Sequence, residues 1–495
     1  MLQKRMASTS PPRAPQAQRY LGKSIPAERR PWVLAASILV SAMGFIDGTV
    51  LSIATPAIRE ALDATLVQAL WFSSAYMLPV AALILVGGAA GDRFGTDRVI
   101  LVGLAVFMVA SVATALAWNA EVFIVSRVAK GAGAALIIPG ALAMIARAYP
   151  PDIRGRAIGQ WAAASAITTA LGPILGGALL EAGSDNAWRL IFAINLPLGA
   201  LAWWMLVAKV GRVPAKDGVA LDVPGAVLSV VALGAGAFAL SRLGEADARV
   251  APFAITAVIA AALFLAWEAR TPHAMVPLSL FRHRTFTAAN LLTFLLYFAL
   301  SAVLFYLPMT VISAWEISTL SAAAAFAPLP VFIGALSTRV GVWSDKIGPR
   351  PLISVGAALT GVAFLAMALT LPLRAYWSVV LPLNCLLALG MALVVSPLST
   401  SVMGAVDEEL SGLASGINNA VSRAAGLVAI PAMGGLAAIV YARASGTESF
   451  GELGGDAAHR AATDAGFQAM LLILAALSAL ASLTARWGIA PKERA

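Results

Sequence analysis

Fourteen runs of about twenty predominantly apolar residues follow one another along this 495-residue chain, the first at residues 32–54 and the last at 467–485. A hydrocarbon core about 30 Å thick takes roughly 20 helical residues to cross, and no water is present there to pair a free amide or carbonyl. Each run is therefore expected to be one membrane-spanning helix. The composition agrees: 60% of residues are hydrophobic and 12% charged, against about 45–50% and 25% in soluble domains. Too little polar surface remains to clothe a globule in water. The expected fold class is all-α integral membrane.

Charge then reports topology. A net charge of +9 would suit nucleic acid if the bases shared one solvated face, but here they punctuate the apolar runs, and no nucleic-acid partner is expected. With the N-terminus placed inside, cytoplasmic loops and tails hold 24 of the 34 Lys and Arg and the outer loops hold 7. Arg127, Lys130 and Arg423 fall within spans. That surplus follows the positive-inside rule, and an even span count puts both termini in the cytoplasm. Residues 1–31 read as a disordered tail without the layout of a cleavable leader, and 487–495 as a second cytoplasmic tail. The single Cys385 excludes an internal disulfide, and His273, His283 and His459 are not spaced as a metal set. Neither metal nor cofactor is expected.

An internal repeat divides the chain. Gly88-Ala-Ala-Gly-Asp92-Arg93-Phe-Gly95 returns as Gly341-Val-Trp-Ser-Asp345-Lys346-Ile-Gly348, offset by 253 residues, each read as a loop after an even-numbered span. Two six-span bundles, 32–209 and 287–486, would be parallel repeats joined by 210–286, which holds spans seven and eight. Such a body suits alternating access. The repeated carboxylates, Asp92 and Asp345, are placed to latch one conformation by accepting from amides or a neighbouring arginine, or else to sit in solvated tight turns.

Asp47 is the one acid placed well inside a span. Ionisable groups in hydrocarbon are costly and face a cavity or a partner. Two roles fit: a proton carrier, or a hydrogen-bonded tie between helices. Counting 1.5 Å per residue, Asp47 lies about 22 Å from the inner end of span one and Arg127 about 8 Å from the outer end of span four, so their depths coincide. The pair is either switchable or a permanent ion pair. Gly172, Pro173, Gly176 and Gly177 supply small surfaces and a kink, for close packing at least. Arg423, near mid-membrane, needs a partner such as Asn418, a carbonyl or water, and facing a cavity it would attract anions. Phe294, Tyr297 and Phe298 offer aromatic faces for a flat cargo or for packing. No span carries a nucleophile with a base, a metal set or a paired carboxylate, so an enzyme is not expected.

The ordered motifs resemble the major facilitator superfamily, specifically its fourteen-span drug/proton antiporter branch of the EmrB/QacA type. Phe45-Ile-Asp47-Gly-Thr-Val50 through Ala54-Thr-Pro-Ala-Ile58 matches the first-span signature, and Gly91-Asp92-Arg93-Phe94-Gly95 the superfamily loop motif. Arg127 to Gly131 resembles the fourth-span motif, Gly172-Pro173 with Gly176-Gly177 the antiporter motif, and Trp188-Arg189 with Phe192, Asn195, Pro197 and Gly199 the start of span six. The resemblance implies a major facilitator fold of two six-helix bundles plus two inserted helices, a bacterial inner membrane location, and proton handling by Arg127, which joins Asp47 as the expected proton-coupling pair. It assigns prevention of proton leakage to the glycine motif. Lys130 stands where the motif commonly carries glutamine. The expected function is proton-coupled export of an amphipathic small molecule, cationic in the first reading. An anionic or neutral metabolite bound through Arg423 and Lys130 is the second reading, and a non-transporting membrane sensor a remote third. Phe45, Lys130, Phe294, Tyr297, Phe298, Asn418 and Arg423 are the expected cavity residues. The expected partners are the cargo, protons and lipid, with a monomer as the working unit.

Overall fold

The computed structural model describes residues 25–491 apart from 183–185, 213–214, 216–218, 244–246 and 445–447. Among them are fourteen helices long and apolar enough to cross a membrane. In chain order they are α1 Ala27–Ala61, α2 Leu66–Phe94, α3 Thr96–Ala115, α4 Ala120–Ala148, α5 Ile153–Glu181, α6 Trp188–Val210 and α7 Val223–Ser241. The series continues with α8 Val250–Glu268, α9 Arg284–Ser313, α10 Thr319–Ile347, α11 Pro349–Leu373, α12 Tyr376–Gly404, α13 Glu408–Arg443 and α14 Ala457–Gly488. Most of the two expected tails lies outside the described residues, but the helix already starts at Ala27, inside the stretch read as tail.

The helices outrun the apolar windows because a helix does not stop where hydrocarbon does. The last span, read as 467–485, extends over Ala457–Gly488 and begins at Asp456, which caps it by accepting from the His459 amide. Helices α2, α4 and α10 start the same way, on Thr65, Asn119 and Ser318. Each side chain satisfies an amide that the first turn leaves unpaired. Call the face carrying the two ends of the chain the terminal face and the other the far face; these four caps lie on the far face. The repeated motifs are helix rather than loop. Gly88–Phe94 closes α2 and Gly341–Ile347 closes α10, and only Gly95 and Gly348 break the helix, at φ 97° and 85°. Side chains rarely adopt that conformation, which accounts for glycine at both equivalent points.

Helix contacts divide the body. In the first half α1 packs on α4 and α5, while α2 and α3 pack on α4; in the second, α9 packs on α13 and α14, α11 on α12 and α14, and α10 on α12. The halves meet through α2 on α13, α5 on α10 and α1 on α9. Of the inserted pair, α7 lies against α2 and α13, whereas α8 leans chiefly on α7 and turns Ile255, Val258 and Ile259 outward.

At the terminal face of that pair the structure corrects one expectation. Two carboxylates do come together there: an ideal Cβ on Gly225 would lie 2.5 Å from Asp222 Oδ2 and 2.7 Å from Glu268 Oε1. Asp222 caps α7 by accepting from the Gly225 amide and also accepts from the Trp267 indole, while Glu268 accepts from the Val276 amide. The two acids are 46 residues apart, so no local pattern announces them.

Candidate functional site

Arg127 and Lys130 stand three residues apart on α4, a spacing that puts both side chains on one helix face. That face meets α1 at Asp47. Arg127 Nη1 donates to Asp47 Oδ2, and Lys130 Nζ donates to Asp47 Oδ1. The three side chains are 1%, 0% and 1% exposed for Arg127, Lys130 and Asp47. Arg127 Nε also donates to the Phe72 carbonyl at 3.0 Å, and its guanidinium stands 4.6 Å from the Tyr76 ring centre. The Lys130 ammonium lies 4.9 Å from both the Phe107 and Phe192 rings. Gly131 makes this approach possible, since an added Cβ would sit 2.2 Å from the Tyr76 carbonyl oxygen on α2.

Magnitudes say why the three must meet. A charged side chain at a helix centre costs about 2.5–3.5 kcal/mol on the insertion scale, so three unpaired ions would cost roughly 8–10 kcal/mol. Shared hydrogen bonds offset that cost, but one carboxylate against two cations leaves an excess positive charge inside the first half. The depth match between Asp47 and Arg127 is realised. Lys130, expected to line a cavity, is instead fully enclosed, because its short distance to Asp47 turns it into the bundle.

The second half holds the other expected residues. Asn418 does not serve Arg423: its Nδ2 donates to Thr293 Oγ1 at 2.7 Å and Asn290 Oδ1 at 3.1 Å, tying α13 to α9. Arg423 stands where α13 meets α2 and α9, within electrostatic reach of Tyr76 and Tyr297. Its Nε is buried and has no hydrogen-bond partner among the described residues. Phe298 belongs to the core of the second half rather than to a cavity wall, Phe294 and Tyr297 pack partly against that core, and Phe45 is half-buried on α1. Tyr76, which sequence reasoning passed over, stands between the two charged places. Its ring covers Arg127, its hydroxyl donates to the Gly44 carbonyl at 3.3 Å, and Arg423 acts on it from α13.

Asp92 accepts from Arg147, a neighbouring helix's arginine as expected, though both belong to the first half. Arg93 folds over Phe94, and Asp345 and Lys346 are exposed in the last turn of α10. The glycine motif packs in two directions. An added Cβ at Gly172 would lie 2.4 Å from Thr49 Oγ1 and one at Gly176 2.5 Å from Val50 Cγ2, both on α1 beside Asp47. At Gly177 it would lie 2.9 Å from Leu320 Cα, on α10 of the other half, and Pro173 is buried between them.

Near that point the far face is joined across the halves. The Leu320 amide donates to Glu181 Oε1 at 3.0 Å and Thr319 Oγ1 to the Gly177 carbonyl at 3.3 Å. Arg59 Nη1 donates to the Phe450 carbonyl at 2.9 Å, and its Nη2 pairs with Glu452 at 3.3 Å. By contrast, Gly155 and Gly159 of α5 and Gly334 of α10 face open space. A groove of about 660 Å³ between α3 and α4, walled by the exposed Val106, Val109 and Val125, lies on the outer surface and is separate from these residues.

Residues 37–430 match the family described as Major Facilitator Superfamily. The chain is 33% identical over 396 residues to the methylenomycin A resistance protein of Streptomyces coelicolor, covering 79% of this chain and 82% of that one. It is 30% identical over 418 residues to the tetracenomycin C resistance and export protein of Streptomyces glaucescens, covering 83% and 76%. A solved bacterial homologue of the human lysosomal transporter Spinster shares the fold at TM-score 0.66 and 17% identity, over 94% of this chain and 100% of that one.

Proposed function

The chain belongs to the Major Facilitator Superfamily of membrane transporters, and on that premise we propose that it is a proton-coupled exporter of lipophilic small molecules, working by alternating access with its terminal face in the cytoplasm. The observation that carries the coupling is the enclosed trio of Asp47, Arg127 and Lys130. Buried ions between helices that must move are the expected signature of a proton relay. The far-face contacts and the open glycines of α5 and α10 support a state closed to the outside.

Cargo chemistry follows from what is unpaired. Asp47 is already bound by two cations, so a cationic drug would find no free counter-charge there. Arg423, with its unpartnered Nε beside Tyr76 and Tyr297, favours a cargo that is neutral or anionic and brings acceptors. The named relatives support export of antibiotic-like compounds. Expressing the chain in cells stripped of their own pumps and challenging them with methylenomycin A, tetracenomycin C and a cationic dye tests this. Resistance to the dye alone would overturn the cargo reading.

Energetics offers a second check. Exchange of one proton for a neutral molecule moves one charge, worth about 2.3 kcal/mol per 100 mV and roughly a fifty-fold gradient. Export of a neutral cargo is therefore driven by membrane potential as well as by the pH gradient. Insensitivity to potential in vesicles would rule out that stoichiometry.

A further inference from the structure

We propose that Lys130 is the group that takes up and gives up the transported proton, its ammonium forming from water on one side of the membrane and reverting to the amine on the other. This rests on the proton-coupled reading above and goes further by naming the carrier.

Charge counting within the site leads there. Among the described residues, the charged groups around Lys130 are Asp47 from α1 and Arg127 from its own helix, with Tyr76 of α2 on the far side of Arg127 and the Phe107 ring of α3 and the Phe192 ring of α6 against the ammonium. If Asp47 took the proton, two enclosed cations would face each other with no counter-charge. Arg127 cannot give one up, since a guanidinium stays protonated in proteins. If Lys130 loses its proton, a neutral Asp47 and Arg127 pair remains and the excess charge disappears. The ammonium has three N–H bonds and, among the described residues, one hydrogen-bond acceptor, Asp47; the Phe107 and Phe192 ring faces attract the cation without replacing the acceptors it had in water.

The step balances simply. On the side open to the outside, a hydronium O–H bond breaks and an N–H bond forms at Nζ, leaving water; on the cytoplasmic side the N–H bond breaks and the proton passes to water. The two forms differ by one whole charge in a sealed place, so each favours a different packing of α1 against α4. Tyr76 connects that packing to Arg423, giving cargo on the second half a physical means of sensing it.

Two measurements on the full-length protein test the assignment. In detergent, with isotope-labelled lysine Nζ, the signal that K130R lacks is followed against pH; the chain has seven lysines, so assignment by this variant is direct. The expected result is conversion between ammonium and amine within the pH range where transport is coupled. In proteoliposomes, pH-gradient-driven accumulation of tetracenomycin C is compared for wild type, K130Q and K130R, with a loss of at least tenfold expected in both variants. A Lys130 signal that stays ammonium throughout that range, or K130Q accumulation equal to wild type, overturns the carrier while leaving proton coupling in place. Wild-type uptake that ignores the pH gradient removes the coupling reading and the carrier together. Should K130Q fail to fold, the wild-type titration and K130R decide alone.

Discussion

Arg59, at the far end of the first helix, donates through Nη1 to the carbonyl oxygen of Phe450, 391 residues later and just ahead of the last helix. It is 6% exposed; its Nε donates to the Ala64 carbonyl of its own half, while Nη1 and Nη2 reach Phe450 and Glu452 of the opposite half. Hydrogen bonds to a charged group contribute about 1.5–3 kcal/mol, and losing one partner of a buried set costs at least as much. Arg59→Ala is therefore expected to shift the population toward the state open at the far face by roughly 10- to 100-fold. Spin labels at Asp63 and Gly454, in a protein whose single Cys385 is replaced by Ser, would report longer distances. An unchanged distribution would mean that Arg59 is no latch.

The buried trio makes a thermodynamic prediction independent of transport. Removing one partner of a buried ion pair costs about 3–5 kcal/mol, because the other charge is stranded. Asp47→Ala strands two cations and is expected to lower thermal stability in detergent more than any other single change at the site. Adding Lys130→Met removes one of them, so the double variant is expected to be more stable than Asp47→Ala alone. Strict additivity of the two losses would contradict the pairing.

The glycine motif predicts a sharp contrast along one helix. Gly172→Ala puts a methyl group 2.4 Å from Thr49 Oγ1, on the α1 segment that carries Asp47, while Gly159→Ala meets nothing within 4 Å. Overpacking costs typically about 1–3 kcal/mol. Gly172→Ala is expected to lower the unfolding temperature and weaken coupling, with Gly159→Ala close to wild type on both. Equal behaviour of the two variants would leave the motif without a packing role.

Asp222 carries a pH prediction. Burial alone would raise its carboxyl, but the Gly225 amide, the Trp267 indole, Glu268 and the Met275 amide hold it below the ordinary value. A carboxylate depressed in the folded state contributes stability that is present above the unfolded value, about 3.9, and is lost as pH falls through the folded one. The stability gap between wild type and Asp222→Asn is thus expected to close as pH falls below about 5. Acid titration of thermal unfolding for both proteins measures it, and a gap that widens on acidification would reverse the sign.

The candidate site was legible to different depths. Asp47 and Arg127 could be paired on paper because helix rise and membrane thickness turn residue number into depth. Lys130 was misplaced because depth gives no azimuth, although its i, i+3 spacing from Arg127 was a readable sign that both share a face. Asn418 was read beside Arg423 because the two are close in sequence, whereas its partners, Thr293 and Asn290, sit on another helix. The Arg59 latch and the Asp222 and Glu268 meeting left no local trace, since their members are brought together only by loops and by packing between helices.

Fourteen helices long and apolar enough to cross a membrane are a property of apolar run length, and the amino-acid sequence determined them alone, because hydrocarbon permits almost no other way to satisfy a backbone. Which faces of those helices turn toward one another was decided only in the folded molecule. Side-chain volume at Gly131, Gly172 and Gly177 and the need to neutralise each enclosed ion select one packing among many that the same apolar helices would allow.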